Sequence, residues 1–219
     1  MAELITGLRP EAVRANLDLV RARIADAGRS PGAVEILAAV KYLPAGELGA
    51  LADAGVTVVG ENRAQELVAK SEAHPEFTWD FIGNLQSRKV PLLVPRVRYI
   101  HSVASDSALE QLRRCSTDRT RVLIEVNVAG EPGKGGIIPE DLPAFLDRSP
   151  VAVVGLMTMP PLASDPENGR PYFAALRELA DRHGLEHLSM GTSQDYPVAV
   201  QEGATIVRLG TILYSESSG

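Results

Sequence analysis

Short apolar runs alternate with amphipathic stretches along most of this chain. The first amphipathic stretch begins at Pro10, its apolar residues recur at intervals of three and four, and it ends near Gly28. This spacing predicts a helix of about five turns. The next segment, residues 34–40, is almost continuously apolar and too short for a surface helix. It therefore indicates a buried strand of a parallel sheet.

The same alternation continues to the end of the chain. Further strands are predicted at residues 56–59, 79–82, 99–103, 121–128, 153–157, 187–189 and 205–208. Helices are predicted between them at residues 45–54, 61–73, 87–94, 105–115, 139–147, 170–183 and 194–202, with Ser105 or Asp106 capping the helix at 105–115. This alternation predicts one α/β domain over residues 1–219, a (β/α)8 TIM barrel with an extra N-terminal helix. An open, doubly wound sheet is the alternative, because a strand as short as 187–189 is easily miscounted.

Composition and charge narrow the classes of function. The chain has 219 residues, with 22 Lys and Arg against 28 Asp and Glu, a formal charge of −6, and its basic residues are scattered. This distribution argues against nucleic acid as a partner. No apolar run reaches the ~20 residues of a membrane helix, and the first residues lack the layout of a secretory signal. We therefore expect a cytoplasmic protein with no membrane partner.

The residue types that often carry redox or metal chemistry give weak signals. Cys115 is the only cysteine in the sequence, so it cannot form a disulfide within the chain, and we assign it no role. His183 and His187 are four residues apart, but Gly184 interrupts the helix between them. That break removes the two-histidine helix face of a zinc site, and we predict no metal.

Lys41 lies where a barrel of this kind carries its chemistry, in a loop that follows the carboxyl end of a strand. In partly apolar surroundings burial lowers the pKa of a lysine, and the neutral amine then attacks a carbonyl to form a Schiff base. The alternative is an ordinary charged residue that marks the solvent end of the first strand.

Small and hydroxyl residues follow the seventh and eighth predicted strands. They form the segments Ser189-Met190-Gly191-Thr192-Ser193 and Gly210-Thr211. Such segments bind phosphate through backbone N–H groups, and a helix beginning at Gln194 would add its positive end. Ordinary turns are the alternative. With Lys41, a phosphate cradle predicts a site for an aldehyde that carries a phosphate, and pyridoxal 5′-phosphate is that molecule.

Arg208 ends the predicted eighth strand, two residues before Gly210. A guanidinium facing the ring would donate a hydrogen bond to the pyridine nitrogen. Because arginine is protonated at neutral pH, that nitrogen would stay without a proton and the ring would be a weaker electron sink. The alternative is an arginine that is ion-paired inside the barrel.

Seven segments in order cover roughly residues 9–214. They read Leu37-Ala38-Ala39-Val40-Lys41, Gly60-Glu61-Asn62-Arg63-Ala64-Gln65-Glu66, Phe81-Ile82-Gly83-Asn84-Leu85-Gln86-Ser87-Arg88-Lys89, Val126-Asn127-Val128, Gly155-Leu156-Met157, Leu188-Ser189-Met190-Gly191 and Val207-Arg208-Leu209-Gly210-Thr211. In these segments the sequence resembles the pyridoxal phosphate homeostasis proteins, a family whose fold is similar to the N-terminal barrel of alanine racemase.

This resemblance implies a cofactor site. It implies that Lys41 holds pyridoxal phosphate as a Schiff base, that Arg208 faces the pyridine nitrogen and that Asn62 lies near the ring. The residues that it implies around the phosphate are Ser189, Gly191, Thr192, Ser193, Gly210 and Thr211.

The resemblance and the residues together favour a carrier over an enzyme. Racemisation needs one base on each face of the substrate, and Lys41 supplies only one. Tyr42 is expected to pack away from Lys41, because successive residues at a strand end point to opposite sides. The opposing tyrosine of alanine racemase comes from a second domain, which we do not expect in a chain that ends soon after Thr211.

We therefore expect a monomeric protein that binds pyridoxal phosphate reversibly and buffers or delivers it. Amino acids and pyridoxal-phosphate-dependent apo-enzymes are its expected partners. A pyridoxal-phosphate-dependent amino-acid racemase is the alternative. A Schiff-base aldolase is disfavoured, because aldolases of this fold generally carry the lysine on a later strand.

Overall fold

In a computed structural model that describes residues 4–215, eight parallel strands close into a barrel in the order of the sequence. They are β1 (Glu35–Ala39), β2 (Val58–Glu61), β3 (Thr78–Phe81), β4 (Tyr99–Val103), β5 (Arg121–Glu125), β6 (Ala152–Met157), β7 (His187–Thr192) and β8 (Ile206–Leu209). Each strand pairs with the next, and β8 pairs with β1. The predicted (β/α)8 barrel is confirmed, and the open sheet is excluded.

Helices surround the barrel. They are α1 (Pro10–Asp26), α2 (Leu48–Asp53), α3 (Ala64–Ala73), α4 (Val90–Leu93), α5 (Asp106–Cys115), α6 (Leu142–Arg148), α7 (Arg170–His183), α8 (Tyr196–Gln201) and α9 (Thr211–Tyr214). Short 3₁₀ turns lie before β1 and before α2, α4, α6 and α7, at Pro31–Ala33, Ala45–Glu47, Ser87–Lys89, Pro139–Asp141 and Pro166–Gly169. No helix among residues 4–215 is both long and apolar enough to cross a membrane.

The predicted extra helix at the N-terminus is α1, which covers the place where the ring closes. It begins at Pro10, whose fixed φ and missing N–H suit a first turn, and it ends before Gly28, where φ is +83°. Its buried stripe packs near α2, α8 and α9 and consists of Val13, Asn16, Leu17, Val20 and Ile24. The Asn16 side chain donates to the carbonyl oxygen of Leu213 (3.1 Å), which ties α1 to α9.

Side chains alternate along each strand between two environments. On β5, Val122 and Ile124 join the apolar layer under the helices, so Leu123 and Glu125 face the interior of the barrel. An apolar cluster inside the barrel contains Leu37, Val58 and Ile206, with Ile82 and Tyr99 packed against it. The same interior also holds buried polar side chains, namely Asp80, His101, Ser189 and Arg208.

Three boundaries that shape the mouth of the barrel differ from the prediction. β2 lies two residues later than predicted, because Gly60 and Glu61 pair with β3, so α3 begins at Ala64 and not at residue 61. β5 ends three residues early, since the Asn127 N–H donates to Ile137 in its own loop (2.9 Å). β7 runs three residues further than predicted, with an irregular register against β8.

Other helix starts are also corrected. The segments predicted to begin helices at residues 45, 87 and 139 form 3₁₀ turns before α2, α4 and α6. The helix predicted from residue 194 begins at Tyr196, and α9 was not predicted. The cap of α5 is Ser105, whose hydroxyl accepts a hydrogen bond from the Ala108 N–H at 3.2 Å.

Candidate functional site

Most of the predicted site residues lie at or just beyond the carboxyl ends of four neighbouring strands, in the spatial order β7, β8, β1 and β2, whereas Ser189 and Met190 lie within β7. Thr192 of β7 pairs with Arg208 of β8, and Arg208 pairs with Leu37 of β1. Lys41 and Asn62 follow the next pair of strands, β1 and β2, shortly beyond their last paired residues. Closure of the ring therefore places the two ends of the sequence side by side.

Lys41 is exposed at the mouth of the barrel. Its Nζ lies 4.7 Å from the centroid of the Tyr42 ring, so the expectation that Tyr42 packs away from Lys41 is wrong. The Tyr42 carbonyl accepts the N–H of Ile5 (2.9 Å), which fixes the chain as it leaves β1. No ion pair joins the Lys41 ammonium to a carboxylate among residues 4–215. The amine is open to a ligand.

Two buried side chains hold the backbone just before Lys41. The Tyr214 hydroxyl donates to the carbonyl oxygen of Ala39 (3.2 Å), and Lys70 Nζ donates to that of Val40 (2.9 Å). Burial and the nearby charge of Glu61 raise the pKa of Tyr214, so its hydroxyl keeps its proton. The backbone at the end of β1 is therefore held in place by two buried side chains, and only the side chain of Lys41 is left free to move.

A buried ion pair links this backbone to the loop that carries Asn62. Lys70 Nζ lies 2.5 Å from Glu61 Oε2, and both side chains are almost fully buried. The other oxygen, Glu61 Oε1, accepts the backbone N–H groups of Asn62 (2.7 Å) and Arg63 (3.1 Å). Sequence reasoning missed this pair. Its signal was Lys70 at the spacing of the buried stripe of α3, after Ala64 and Leu67.

Asn62 has an unused polar atom. Its side-chain Oδ1 is buried and has no hydrogen-bond partner among the described residues. The backbone of Asn62 packs so closely on Gly83 that a Cβ at position 83 would lie 2.0 Å from the Asn62 carbonyl oxygen. A buried acceptor without a donor costs free energy, so a ligand that donates a hydrogen bond here is favoured.

The loops after β7 and β8 meet. The Ser193 hydroxyl accepts the Gly210 N–H (3.2 Å) and so joins the two loops. Among the described residues, the backbone N–H groups of Ser193, Gln194 and Thr211 have no acceptor. Three free donors in adjacent loops form a cradle of the kind that binds an anion.

Gly191 lets the β7 loop adopt this shape. Its φ is +92°, and a Cβ there would lie 2.7 Å from Cβ of Ala199. Thr192 is engaged differently, since its N–H (2.6 Å) and hydroxyl (2.9 Å) both donate to Asp195 Oδ1. Met190 is buried in the apolar layer under the helices. The contacts of Thr192 and Met190 are therefore with other parts of the protein, and they stabilise the shape of the cradle.

Arg208 is buried between β7 and the end of β6. Its Nη1 donates to Ser189 O and Oγ (both 2.6 Å), and its Nη2 donates to Thr158 O (2.9 Å) and contacts Met159 Sδ (2.7 Å). Of the five N–H groups of a guanidinium, only Nε–H has no acceptor among residues 4–215. Ion pairing inside the barrel was the alternative role, but within that part of the chain no carboxylate lies within 4 Å of Arg208.

Burial shifts the pKa values of two charged side chains near the mouth of the barrel, Arg208 and Glu125. Burial lowers the pKa of Arg208 to about 10, opposed by the charges of Asp195 and Glu125, so the guanidinium is protonated at neutral pH. Burial also raises the pKa of the Glu125 carboxyl, against the charges of Arg208 and Lys134. Glu125 ends β5, and no described residue donates a hydrogen bond to its carboxylate. Sequence reasoning missed Glu125; its signal was a charge at an inward position of an apolar strand.

The chain is similar to known proteins over nearly its whole length. Residues 8–218 match the family described as alanine racemase, N-terminal domain. A pyridoxal phosphate homeostasis protein of Aquifex aeolicus is 42% identical over 205 residues, 87% of this chain and 90% of its own. One from Pseudomonas aeruginosa is 37% identical over 214 residues, 91% of this chain and 93% of its own.

A solved structure shows the same architecture. PipY of Synechococcus elongatus, determined with PLP bound, superposes with a TM-score of 0.79 and 32% identity. The match covers 93% of this chain and all of PipY. The fold of PipY is therefore shared with this protein.

Proposed function

The chain belongs to the family of pyridoxal phosphate homeostasis proteins, and on this premise we propose that it binds pyridoxal 5′-phosphate at the mouth of its barrel and buffers or carries it. The adjacency of β7, β8, β1 and β2 carries the proposal. It joins an exposed amine, a buried guanidinium with one free N–H, and a cradle of free backbone donors. This combination suits a phosphorylated aldehyde with a basic ring nitrogen.

The residues present fit this cofactor. The N–H groups of Ser193, Gln194 and Thr211 suit the phosphate. The buried Oδ1 of Asn62 has no donor among the described residues, and it would suit a hydrogen-bond donor of the cofactor. Gly210 leaves the approach open, because a Cβ there would meet nothing closer than 3.7 Å. In this arrangement Gly191 and Thr192 shape the cradle, and Ser189 and Met190 support it from the barrel wall.

Lys41 is the proposed point of attachment. When bound, pyridoxal phosphate supplies an aldehyde that condenses reversibly with amines and a ring that withdraws electrons. Lys41 Nζ would hold the cofactor as a Schiff base at the aldehyde carbon, with loss of water. Arg208 would offer its free Nε–H to the pyridine nitrogen and would keep its own proton, since burial lowers its pKa only to about 10. The nitrogen would then stay unprotonated, and the ring would be a weaker electron sink.

The first test is an absorbance titration with pyridoxal phosphate. The parent protein is expected to develop a visible band, and Lys41→Ala is expected to lose it because the attaching amine is gone. After borohydride reduction, peptide mapping should find the adduct on Lys41. Lys89→Ala is the matched control, since Lys89 is half-buried in the turn before α4 and makes no ion pair among the described residues. A band that survives in Lys41→Ala contradicts the assignment.

A second assay separates a carrier from an amino-acid racemase. The loaded protein is mixed with a pyridoxal-phosphate-dependent apo-enzyme, and recovery of that enzyme's activity is measured beside the rate of alanine racemisation. A carrier restores activity without racemising alanine at enzyme-like rates. We also propose that the protein is monomeric, because its exposed large apolar residues are few and scattered over several elements.

A further inference from the structure

A chain of hydrogen bonds crosses the interior of the barrel and ends at Arg208. His101 Nε2 lies 3.1 Å from Asp80 Oδ2, and His101 Nδ1 lies 2.8 Å from Ser189 Oγ. Ser189 Oγ in turn lies 2.6 Å from Arg208 Nη1. All four side chains are buried. Because branched apolar residues usually fill a barrel of this kind, a polar chain here requires a reason.

Asp80 determines which atoms donate and which accept in this chain of hydrogen bonds. Its carboxylate accepts from Arg98 Nε (3.1 Å) and Nη2 (2.6 Å) and from the Tyr99 backbone N–H (3.1 Å). Hydrogen bonds from His101 and Arg98 hold the pKa of Asp80 below its usual value, although burial acts against them. An ionised carboxylate only accepts hydrogen bonds, so the Nε2 of His101 carries a proton and donates a hydrogen bond to Asp80.

The other end of the chain fixes the second ring nitrogen. Ser189 Oγ already accepts from the Arg208 guanidinium, which has no acceptor atom of its own. If His101 is neutral with its proton on Nε2, its Nδ1 is unprotonated and accepts the Ser189 O–H at 2.8 Å. Burial lowers the pKa of His101, Asp80 opposes this, and Arg208 and Arg98 reinforce it. Tyr99 also faces the ring, at 6.2 Å between ring centroids.

We infer that His101 is a positioning residue for Arg208, acting through the Ser189 hydroxyl as a neutral imidazole with its proton on Nε2. The two bonds from Nη1 to Ser189 and the two contacts of Nη2 lock the guanidinium plane, so that Nε–H alone is left for a ligand. This inference rests on the proposed function for what Arg208 binds, but the state of His101 can be measured without any cofactor.

The first experiment is ¹⁵N NMR of the histidine side chains in the cofactor-free protein. The spectrum of His101→Gln identifies the His101 signals by their loss. We expect one protonated and one unprotonated ring nitrogen for His101, with the proton on Nε2, unchanged from about pH 5.5 to about pH 8.5. A ring protonated on Nδ1, or one that becomes cationic in this range, overturns the inference.

The second experiment is a double-mutant cycle on the affinity for pyridoxal phosphate. His101→Gln should weaken binding about five- to tenfold, because Arg208 loses one orienting hydrogen bond. In a Ser189→Ala background the same change should have less than about a twofold effect, since the link to Arg208 is already cut. His183→Gln, a histidine in the last turn of α7, is the control and should leave affinity unchanged.

The outcomes are distinct. Additive effects of His101→Gln and Ser189→Ala show that His101 does not act through Ser189 and overturn the inference. If His101→Gln fails to fold, Ser189→Ala with the NMR tautomer of His101 decides the matter, because Ser189→Ala keeps the backbone acceptor of Arg208. If the parent protein binds no pyridoxal phosphate, the proposed function fails. The NMR experiment still tests the protonation state of His101, because it uses the cofactor-free protein.

Discussion

At the scale of single residues, Glu125 is a half-buried acidic group to which no described residue donates a hydrogen bond. Its carboxylate faces the interior at the end of β5, and a Cβ at Gly135 would lie 3.2 Å from its Oε1. Burial raises its pKa, so the folded protein binds a proton there more tightly than the unfolded chain does. The cost of ionisation is absent below the ordinary pKa of about 4.3 and complete above the raised one.

Glu125→Gln should therefore stabilise the cofactor-free protein at neutral pH and not at acidic pH. We expect the free energy of unfolding to rise by on the order of 1 kcal/mol at pH 8, with the difference vanishing near pH 4. Urea unfolding at both pH values measures this. Glu178→Gln, an exposed position on α7, is the control. Equal effects of Glu125→Gln at the two pH values would contradict the role given to burial.

Sequence reasoning located the residues that stand directly after strands and missed those that act across the barrel. Lys41 and Arg208 have local signals, because each lies at or just beyond a predicted strand end, whereas Asn62 was assigned from the family resemblance alone. Asp80 and His101 do not, since what makes them partners is the relative rotation of β3, β4 and β7 once the ring is closed. Alternation in one strand carries no information about that register.

At the scale of elements, β1, β2 and α3 form a unit around one buried ion pair. Lys70 on α3 supports the end of β1, and Glu61 on β2 supports the loop of Asn62. A buried pair of this kind is costly to break on one side, because the remaining charge has no partner.

Lys70→Met should destabilise the protein by about 3–5 kcal/mol, since it leaves the Glu61 carboxylate buried and alone. Adding Glu61→Gln should recover part of this loss, because the unpaired charge is then removed. Urea unfolding measures both free energies, and Lys89→Met is the matched lysine control. A loss below about 1 kcal/mol for Lys70→Met would mean that the pair does not support this unit.

The same unit explains why sequence reasoning misplaced an element boundary. Residues 56–59 look like a strand by composition, but the pairing that counts is that of Gly60 and Glu61 with β3. Glycine is favoured at position 60, because a Cβ there would lie 2.5 Å from the side chain of Leu37 inside the barrel. Tertiary packing decided this register, and glycine and a carboxylate gave no local sign of a strand.

At the scale of the whole molecule, the alternation of strands and helices was enough to predict the barrel. That signal is strong because every repeat of it agrees, and parallel strands with helical crossovers have few ways to close. The same alternation does not predict the chain of hydrogen bonds inside the barrel.

Loading with pyridoxal phosphate should stabilise the folded ring. At a free concentration of about one hundred times Kd the stabilisation is about 2.7 kcal/mol, which corresponds to a rise in Tm of roughly 5–10 °C for a protein of this size. Thermal unfolding followed by circular dichroism measures it. Pyridoxal, which lacks the phosphate, should give a much smaller rise in Tm at the same concentration, because the cradle of Ser193, Gln194 and Thr211 is then unused. Equal rises would argue against the cradle.

The closing seam between β8 and β1 has a further consequence. Lys41 follows the first strand and Arg208 lies on the last, so the two become neighbours only when synthesis has passed β8 and the ring has shut. A nascent or truncated chain that lacks β8 has the amine but neither the guanidinium nor the second half of the cradle. Capture of the cofactor would therefore report that this protein has completed its fold.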